Sequence, residues 1–185
     1  MKFKVFLLMA ACLLPLSAMA QHSDDTPDDL LQHVPMATVF VLKACGEQSQ
    51  SSWIETTALA VASYAVGTAV TYSGKQLFGE RRPDGSDHRS FPSGHATYAF
   101  AGATMLHHEY GHLSPWVTVG GYGLATLVAL DRVRCDRHYL HDVCAGAAIG
   151  IAATELSYFL KRKLFKDKPL YLSFTGNGVT VRLYL

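Results

Sequence analysis

The stretch Lys75–His95, KQLFGERRPDGSDHRSFPSGH, places cationic, polar and glycine residues between two uncharged apolar segments. Pro83 fixes its own backbone φ and biases Arg82 away from helix, which predicts that any preceding helix has ended here. A helical apolar pattern begins again after His95. Backbone N–H groups at such a helix start, beside a serine hydroxyl and a glycine, suit a bound anion. The stretch therefore predicts an anion-binding loop, although a polar loop with ordinary surface charges fits it equally well.

A second polar cluster, Asp131–Asp142, reads DRVRCDRHYLHD and stands before the last long apolar segment. His138 and Asp142 are four residues apart, so at a helix start they share one face and the carboxylate can accept from one imidazole nitrogen. The other nitrogen is then left as a base or a nucleophile. Taken alone, the pair also fits a surface contact at a capped helix start.

The fold predicted from the apolar pattern is an all-α antiparallel helix bundle of about five helices. A short apolar segment spans 33–44, and the long helices are predicted over Thr56–Leu77, Ser93–His107, Pro115–Asp131 and Tyr139–Leu160. Antiparallel packing of the long helices puts the loops 78–92 and 131–138 at the same end of the bundle. The two polar clusters are therefore expected to meet.

The C-terminal segment 170–185 changes character, with apolar and polar residues alternating on both sides of Gly176-Asn177-Gly178. This pattern predicts a short β-hairpin with a tight turn. A single hairpin makes no barrel, so we expect it to pack or dock against the helices.

Composition narrows the class of protein. The 185 residues fit one domain, and a formal net charge of +1 provides no basic field for nucleic acid. Apolar residues make up 49% of the chain and the mean hydropathy is +0.13, which leaves membrane-bound and soluble proteins both open.

The N-terminus predicts export. Lys2 and Lys4 precede an apolar run, and small residues at 17–20 follow it, so residues 1–20 resemble a secretory signal cleaved before Gln21. An uncleaved signal anchor is the alternative. The acidic segment 21–31 is expected to be an exposed lead-in. Export permits disulfides, but we assign none to the remaining cysteines, Cys45, Cys135 and Cys144.

Three motifs in order carry a family resemblance. Lys75-x6-Arg82-Pro83, Pro92-Ser93-Gly94-His95 and Arg132-x5-His138-x3-Asp142 resemble the signature of the type 2 phosphatidic acid phosphatase superfamily, across residues 75–142. That superfamily includes bacterial non-specific acid phosphatases and vanadium haloperoxidases, and the latter are usually much longer chains. One departure is Asp131, which stands where the pattern usually has Ser.

The resemblance implies a single phosphatase domain over 21–185 that forms a phosphohistidine. The implied catalytic residues are His138 as nucleophile, Asp142 as its orienting carboxylate and His95 as the acid for the leaving group. The implied phosphate-binding residues are Lys75, Arg82, Ser93, Gly94 and Arg132. No metal or other cofactor is required, because the cations neutralise the phosphate.

The uncharged helices and the short loop between Pro83 and Pro92 are similar to those of lipid phosphatases. The expected substrate is thus a phosphomonoester or diphosphate lipid of the bacterial envelope: lipid A, phosphatidic acid, phosphatidylglycerophosphate or undecaprenyl diphosphate. We expect membrane association with the site facing the periplasm, in part because basic residues 161–163 mark a cytoplasmic end. A soluble periplasmic acid phosphatase is the alternative, and the sequence leaves the oligomeric state open.

Two other readings compete with a phosphatase. His108-Glu109-x-x-His112 matches the H-E-x-x-H pattern of zinc peptidases, but Gly111 weakens the required helix and no third ligand follows at a familiar interval. A non-catalytic envelope protein that keeps the fold is the other reading. The intact set of motif residues argues against it.

Overall fold

The computed structural model describes the backbone of residues 26–164, 171–175 and 178–182, and the side chains of residues 29–164. The predicted signal peptide, 1–20, lies outside this part. The helices are α1 Thr26–Leu31, α2 Val34–Ala44, α3 Trp53–Phe78, α4 Gly94–Tyr110, α5 Pro115–Arg134 and α6 Leu140–Leu164. The all-α prediction is confirmed, and the four long helices extend up to four residues beyond their predicted ends.

The ends of α3 follow from local sequence. The Ser52 hydroxyl accepts from the Glu55 backbone N–H (3.3 Å) and the Glu55 carboxylate accepts from the Ser52 N–H (2.8 Å), which forms a capping box. At the other end Gly79 adopts φ 55°, a left-handed conformation that glycine accepts without steric cost. The helix therefore ends at Phe78, three residues after Lys75, and the Lys75 side chain contacts the loop that follows.

Helix α4 is the centre of the bundle and packs against α2, α3, α5 and α6. Glycines on α6 make the closest of these contacts possible, because a Cβ at Gly146 would lie 2.3 Å from the Ser93 carbonyl oxygen and one at Gly150 would lie 2.3 Å from the Thr97 carbonyl oxygen. The Ser93 N–H also donates to the Asp142 carbonyl oxygen at 3.0 Å. Close packing thus holds the start of α4 against the start of α6.

The main apolar core lies between α2, α3, α4 and α6, and its buried members include Met36, Val39, Leu42, Leu59, Met105, Leu106 and Tyr110. A smaller cluster joins α4 and α5 through Ala99, Ala103, Ala125 and Val128. Leu31 at the end of α1 packs on that smaller cluster. The expectation of an exposed lead-in is therefore wrong for its last part, because Leu31 finds an apolar partner that the local sequence does not reveal.

Strands β1 Tyr171–Thr175 and β2 Gly178–Arg182 pair antiparallel, with Tyr171 opposite Arg182 and Thr175 opposite Gly178. The turn at 176–177 and the side chains of both strands lie outside the described part of the chain. The packing or docking role of this segment stays a prediction.

One described helix, α6, is long and apolar enough by length and composition to cross a membrane, with a mean hydropathy of 1.6 in its most apolar window. In that window 39% of the residues are buried inside the bundle. A core helix of a soluble protein meets the same criterion. The segment Thr56–Gly74, which the sequence left open as a span, lies within α3 and does not meet it.

Candidate active site

A buried histidine–carboxylate pair forms the centre of the site. Nδ1 of His138 lies 3.4 Å from Oδ2 of Asp142, and their side chains are 3% and 0% exposed. This distance is at the long end of the hydrogen-bond range, and among the described residues Nδ1 has no better-directed partner. Asp142 Oδ2 is held in place by the Tyr139 backbone N–H (2.9 Å) and the Ser90 hydroxyl. Nδ1 of His138 therefore faces the carboxylate, and Nε2 is left for chemistry.

Three cations predicted from the motifs stand at this end of the bundle. Arg82 donates from Nε to Asp87 Oδ1 at 2.8 Å, and Lys75 donates from Nζ to the Arg89 carbonyl oxygen at 2.6 Å. Arg132 lies in the last turn of α5, is 5% exposed, and its carbonyl oxygen accepts from the His138 N–H at 3.2 Å. Contacts within the loop after α3 thus hold the Lys75 and Arg82 side chains, and a backbone hydrogen bond joins Arg132 to His138.

The electrostatic environment keeps His138 neutral. Burial is the main cause that lowers the pKa of His138 to about 4, the charges of Lys75 and Arg82 lower it further, and Asp142 opposes them. A neutral imidazole has a free lone pair at pH 7, which a nucleophile requires. Burial, followed by the charge of Arg82, also lowers the pKa of Lys75 to about 8.

His95 is the second residue of α4, whose first turn is capped by the Ser93 hydroxyl, a weak acceptor at 3.4 Å from the Ala96 N–H. Burial and the charge of Arg132 lower the pKa of His95 to about 4. Nε2 of His95 lies 2.9 Å from Oδ1 of Asp29. This carboxylate comes from the N-terminal segment and is absent from the sequence motifs.

All the site residues predicted from the sequence lie at this one end, at the C-terminal ends of α3 and α5 and the N-terminal ends of α4 and α6; they are Lys75, Arg82, Ser93, Gly94, His95, Arg132, His138 and Asp142. The sequence missed the contacts of Ser90, Asp87 and Asp29. The first two belong to the polar run after Pro83, where composition alone did not single them out. Nothing in the sequence near Asp29 indicated a partner 66 residues away.

The H-E-x-x-H pattern has a different structure from a zinc-binding helix. Helix α4 ends at Tyr110, so His112 lies beyond it. Glu109 is fully buried and accepts from the Ser51 N–H (3.0 Å), the Ser51 hydroxyl (2.6 Å) and the Tyr158 hydroxyl (2.6 Å). His108 instead pairs with Glu155, with 2.8 Å between Nε2 and Oε1. The carboxylate that the pattern requires as a base is therefore occupied within the core.

Within the described side chains, one group brings three possible metal-ligand atoms within 4.8 Å of one another: Glu80, His141 and Asp142. Nε2 of His141 lies 3.0 Å from both Glu80 Oε1 and Asp142 Oδ1. These contacts pair the exposed imidazole with two carboxylates and add a further neighbour to Asp142.

The chain matches the PAP2 superfamily over residues 53–166, more than half its length. It therefore belongs to that superfamily. The matched region contains every site residue predicted from the motifs, whereas Asp29 precedes it.

Two curated relatives are similar to the chain. The lipid A 1-phosphatase of Porphyromonas gingivalis is 37% identical over 145 residues, which cover 78% of this chain and 33% of the relative. A probable lipid phosphate phosphatase beta of Arabidopsis thaliana is 34% identical over 90 residues, which cover 36% of this chain and 42% of the relative. The chain thus spans less than half the length of these relatives.

One solved structure shares the fold. The crystal structure of Aquifex aeolicus LpxE superposes with a TM-score of 0.56 at 23% identity, and the match covers 74% of this chain and 87% of that one. The helical arrangement described above is therefore that of a known fold.

Proposed function

We propose that the protein hydrolyses phosphate esters of lipids through a phosphohistidine on His138. The observation that carries the proposal is the buried, neutral His138 whose Nδ1 faces Asp142 and whose surroundings include Lys75, Arg82 and Arg132. A nucleophile oriented by a carboxylate beside several fixed cations suits attack on an anionic phosphorus centre.

The reaction runs in two steps. Nε2 of His138 attacks phosphorus in line, so that an N–P bond forms while the ester P–O bond breaks. His95, whose protonated form is favoured by the bound phosphate anion, gives a proton to the leaving oxygen. Water then loses a proton to His95 and attacks phosphorus. The N–P bond breaks, inorganic phosphate leaves, and both imidazoles return to their starting state. Asp142 stabilises the positive charge on His138 while the phosphorus is bound.

The phosphate oxygens are bound by Lys75, Arg82 and Arg132 together with the Ser93 hydroxyl and the Gly94 backbone N–H. Placement at the start of α4 supports this role, because the free N–H groups of a helix N-terminus attract anions. Fixed cations also stabilise the charge of the transferring phosphoryl group without reorganising during the reaction.

Apolar side chains near the cationic site support an amphiphilic substrate. Leu77, Phe78, Tyr139 and Leu140 are exposed next to it along the chain, and rings at this end contact one another, as Phe78 and Phe91 do with centroids 5.0 Å apart. Acyl chains can contact such a rim while the phosphate meets the cations. The relative from Porphyromonas gingivalis carries a name that specifies lipid A, so we propose an envelope lipid phosphate of lipid A type as the substrate.

We propose that the protein is membrane-associated. Helix α6 has the length and apolar character of a span, and further large apolar side chains are exposed on α3 and α5, among them Val61, Val70, Leu127 and Leu130. Exposed apolar surface of this kind suits contact with lipid. The basic residues Lys161–Lys163 lie in the last turn of α6, opposite the site, and by the positive-inside rule they support a site that faces the periplasm.

The test is release of inorganic phosphate by the purified full chain from a panel of lipid phosphates and water-soluble monoesters. We expect turnover of lipid A-type phosphates and none by His138→Ala. His88→Ala removes an exposed imidazole from the same end of the bundle and is the matched control. Hydrolysis of soluble esters alone would establish the acid phosphatase alternative, and turnover by His138→Ala would rule out the phosphohistidine.

A further inference from the structure

The contact between Asp29 and His95 lies outside the motifs that define the family signature. Oδ1 of Asp29 is 2.9 Å from Nε2 of His95, a distance typical of a charge-assisted hydrogen bond. The His95 side chain is 19% exposed and that of Asp29 is 62% exposed. Most of the imidazole is therefore covered by the protein, whereas the carboxylate is largely exposed.

The segment that carries Asp29 is anchored to the bundle. Leu31 packs on the cluster between α4 and α5, and Gln32 is buried and donates from Nε2 to the Asp29 carbonyl oxygen at 2.8 Å. His33 then contacts the Tyr64 hydroxyl through Nδ1 at 3.2 Å. The contacts of Leu31, Gln32 and His33 thus hold the segment that carries Asp29 in place relative to α4.

The charges that face His95 come from three elements. Arg132 on α5 and Arg82 in the loop after α3 both disfavour a proton on the imidazole, and Asp29 favours it by hydrogen bond and by charge. A residue that must donate a proton to a leaving oxygen needs to hold that proton first. Asp29 is the group that opposes the two arginines.

We propose that Asp29 is a positioning residue for His95, holding the imidazole through Nε2 and directing Nδ1 at the leaving oxygen of the substrate. This inference rests on the proposed function. The site then contains two carboxylate–imidazole pairs with opposite tasks: Asp142 leaves Nε2 of His138 free to attack phosphorus, and Asp29 opposes the loss of the proton from His95. Through the second pair, the N-terminal segment that carries Asp29 becomes part of the site.

The test is Asp29→Asn in the full chain, assayed with an alkyl phosphate and an aryl phosphate of similar size. An alkoxide leaving group needs the proton from His95, whereas a nitrophenolate leaves without it. We expect kcat for the alkyl ester to fall about tenfold, which is part of the roughly 10²- to 10⁴-fold that a general acid contributes, and kcat for the aryl ester to change less than about twofold. The high-pH limb of kcat for the alkyl ester should move down by about one unit, because loss of the carboxylate lowers the pKa of His95.

Two controls keep the result specific. Asp29→Glu should restore most of the alkyl ester rate, and Asp136→Asn makes the same charge change at an exposed loop residue whose φ of 52° suits Asn. The ratio of kcat for the alkyl ester to kcat for the aryl ester does not depend on how much of the protein is folded. The same holds for the pH at which the high-pH limb falls.

Equal losses of kcat for both esters, with the high-pH limb at the same pH as in the wild type, would overturn the inference. A gain in rate would also overturn it, because it would mean that Asp29 obstructs the site. NMR titration of His95 in the unliganded protein gives a readout without turnover, with a lower pKa expected in Asp29→Asn. Failure of the wild type to hydrolyse any lipid phosphate would contradict the proposed function, whereas the titration still decides the contact between Asp29 and His95.

Discussion

Two fully buried carboxylates stand at opposite ends of the bundle, Asp142 and Glu109, and both lie among residues that the sequence marked as possible catalytic groups. Glu109 accepts from Ser51 and Tyr158, all neutral donors, at 2.6–3.0 Å. Asp142 also accepts from neutral donors, but its Oδ2 faces the buried ring of His138.

The difference shows that burial alone does not identify a catalytic carboxylate. Glu109 on α4 joins Ser51, which precedes α3, to Tyr158 on α6, so its hydrogen bonds connect three parts of the fold. Asp142 faces a neighbour that can change its charge, since in the proposed reaction His138 becomes positive when it binds phosphorus. We expect removal of Glu109 to affect stability and removal of Asp142 to affect the reaction.

The largest expected effect is that of Asp142→Asn. The amide keeps the size of the side chain but cannot stabilise a positive imidazole or fix its tautomer, so kcat should fall about 10³-fold or more. The measurement is phosphate release under saturating lipid phosphate, with the thermal unfolding midpoint recorded in parallel. A loss of less than about tenfold in a well-folded variant would remove the distinction between the two carboxylates.

Glu109→Ala should affect stability instead. It leaves the Ser51 and Tyr158 hydroxyls without their acceptor in the core, at a cost of about 3 kcal/mol in the free energy of unfolding. Chemical denaturation measures this, and kcat per folded molecule at low temperature should stay within about twofold of the wild type. Loss of turnover without loss of stability would show that this end of the bundle takes part in the reaction.

Lys75→Arg tests the charge at the catalytic end. Lys75 has a pKa lowered to about 8, so it loses its charge as the pH rises through that value, and kcat/KM of the wild type should decline there. Arginine remains charged at these pH values, so the decline should move to higher pH. When kcat/KM of each protein is divided by its own value at pH 7, the ratio at pH 9 should be about tenfold higher for the variant than for the wild type. If kcat/KM of the variant declines at the same pH as that of the wild type, a group other than Lys75 causes the decline.

The smallest effect is expected for Glu155→Gln, which removes the partner of His108 at the non-catalytic end. Both side chains reach solvent, and exposed ion pairs contribute less than about 1 kcal/mol. Denaturation and phosphate release should both match the wild type within error. A marked loss in either would show that the residues of the H-E-x-x-H pattern matter beyond Glu109.

The motif residues show how much of the site the sequence predicts. The spacing of His138 and Asp142 predicted a pair on one face, and the structure places their atoms 3.4 Å apart. The uncharged segments predicted the four long helices, because a 3.6-residue period and chain breakers such as Pro83 are local properties. Antiparallel packing then predicted that the two polar clusters share one end.

The sequence did not reveal which partners complete those groups. Ser90 donates to Asp142 across 52 residues, and Asp29 reaches His95 across 66. Such contacts depend on how helices pack, and single residues of common types carry no local signal for them. The same limit applies to Glu109, because its local pattern matches the base of a zinc site, whereas its buried hydrogen bonds connect parts of the chain that are far apart.

The sequence by itself determined the helices, the cationic and histidine motifs and the family to which they belong, because these depend on short-range spacing. Only the tertiary structure decided that Ser90 supports Asp142, that Glu109 is bound within the core, and that Asp29 lies against His95. Burial and the distance between residues far apart in the chain decide what each titratable group does, and both arise only when the helices have packed.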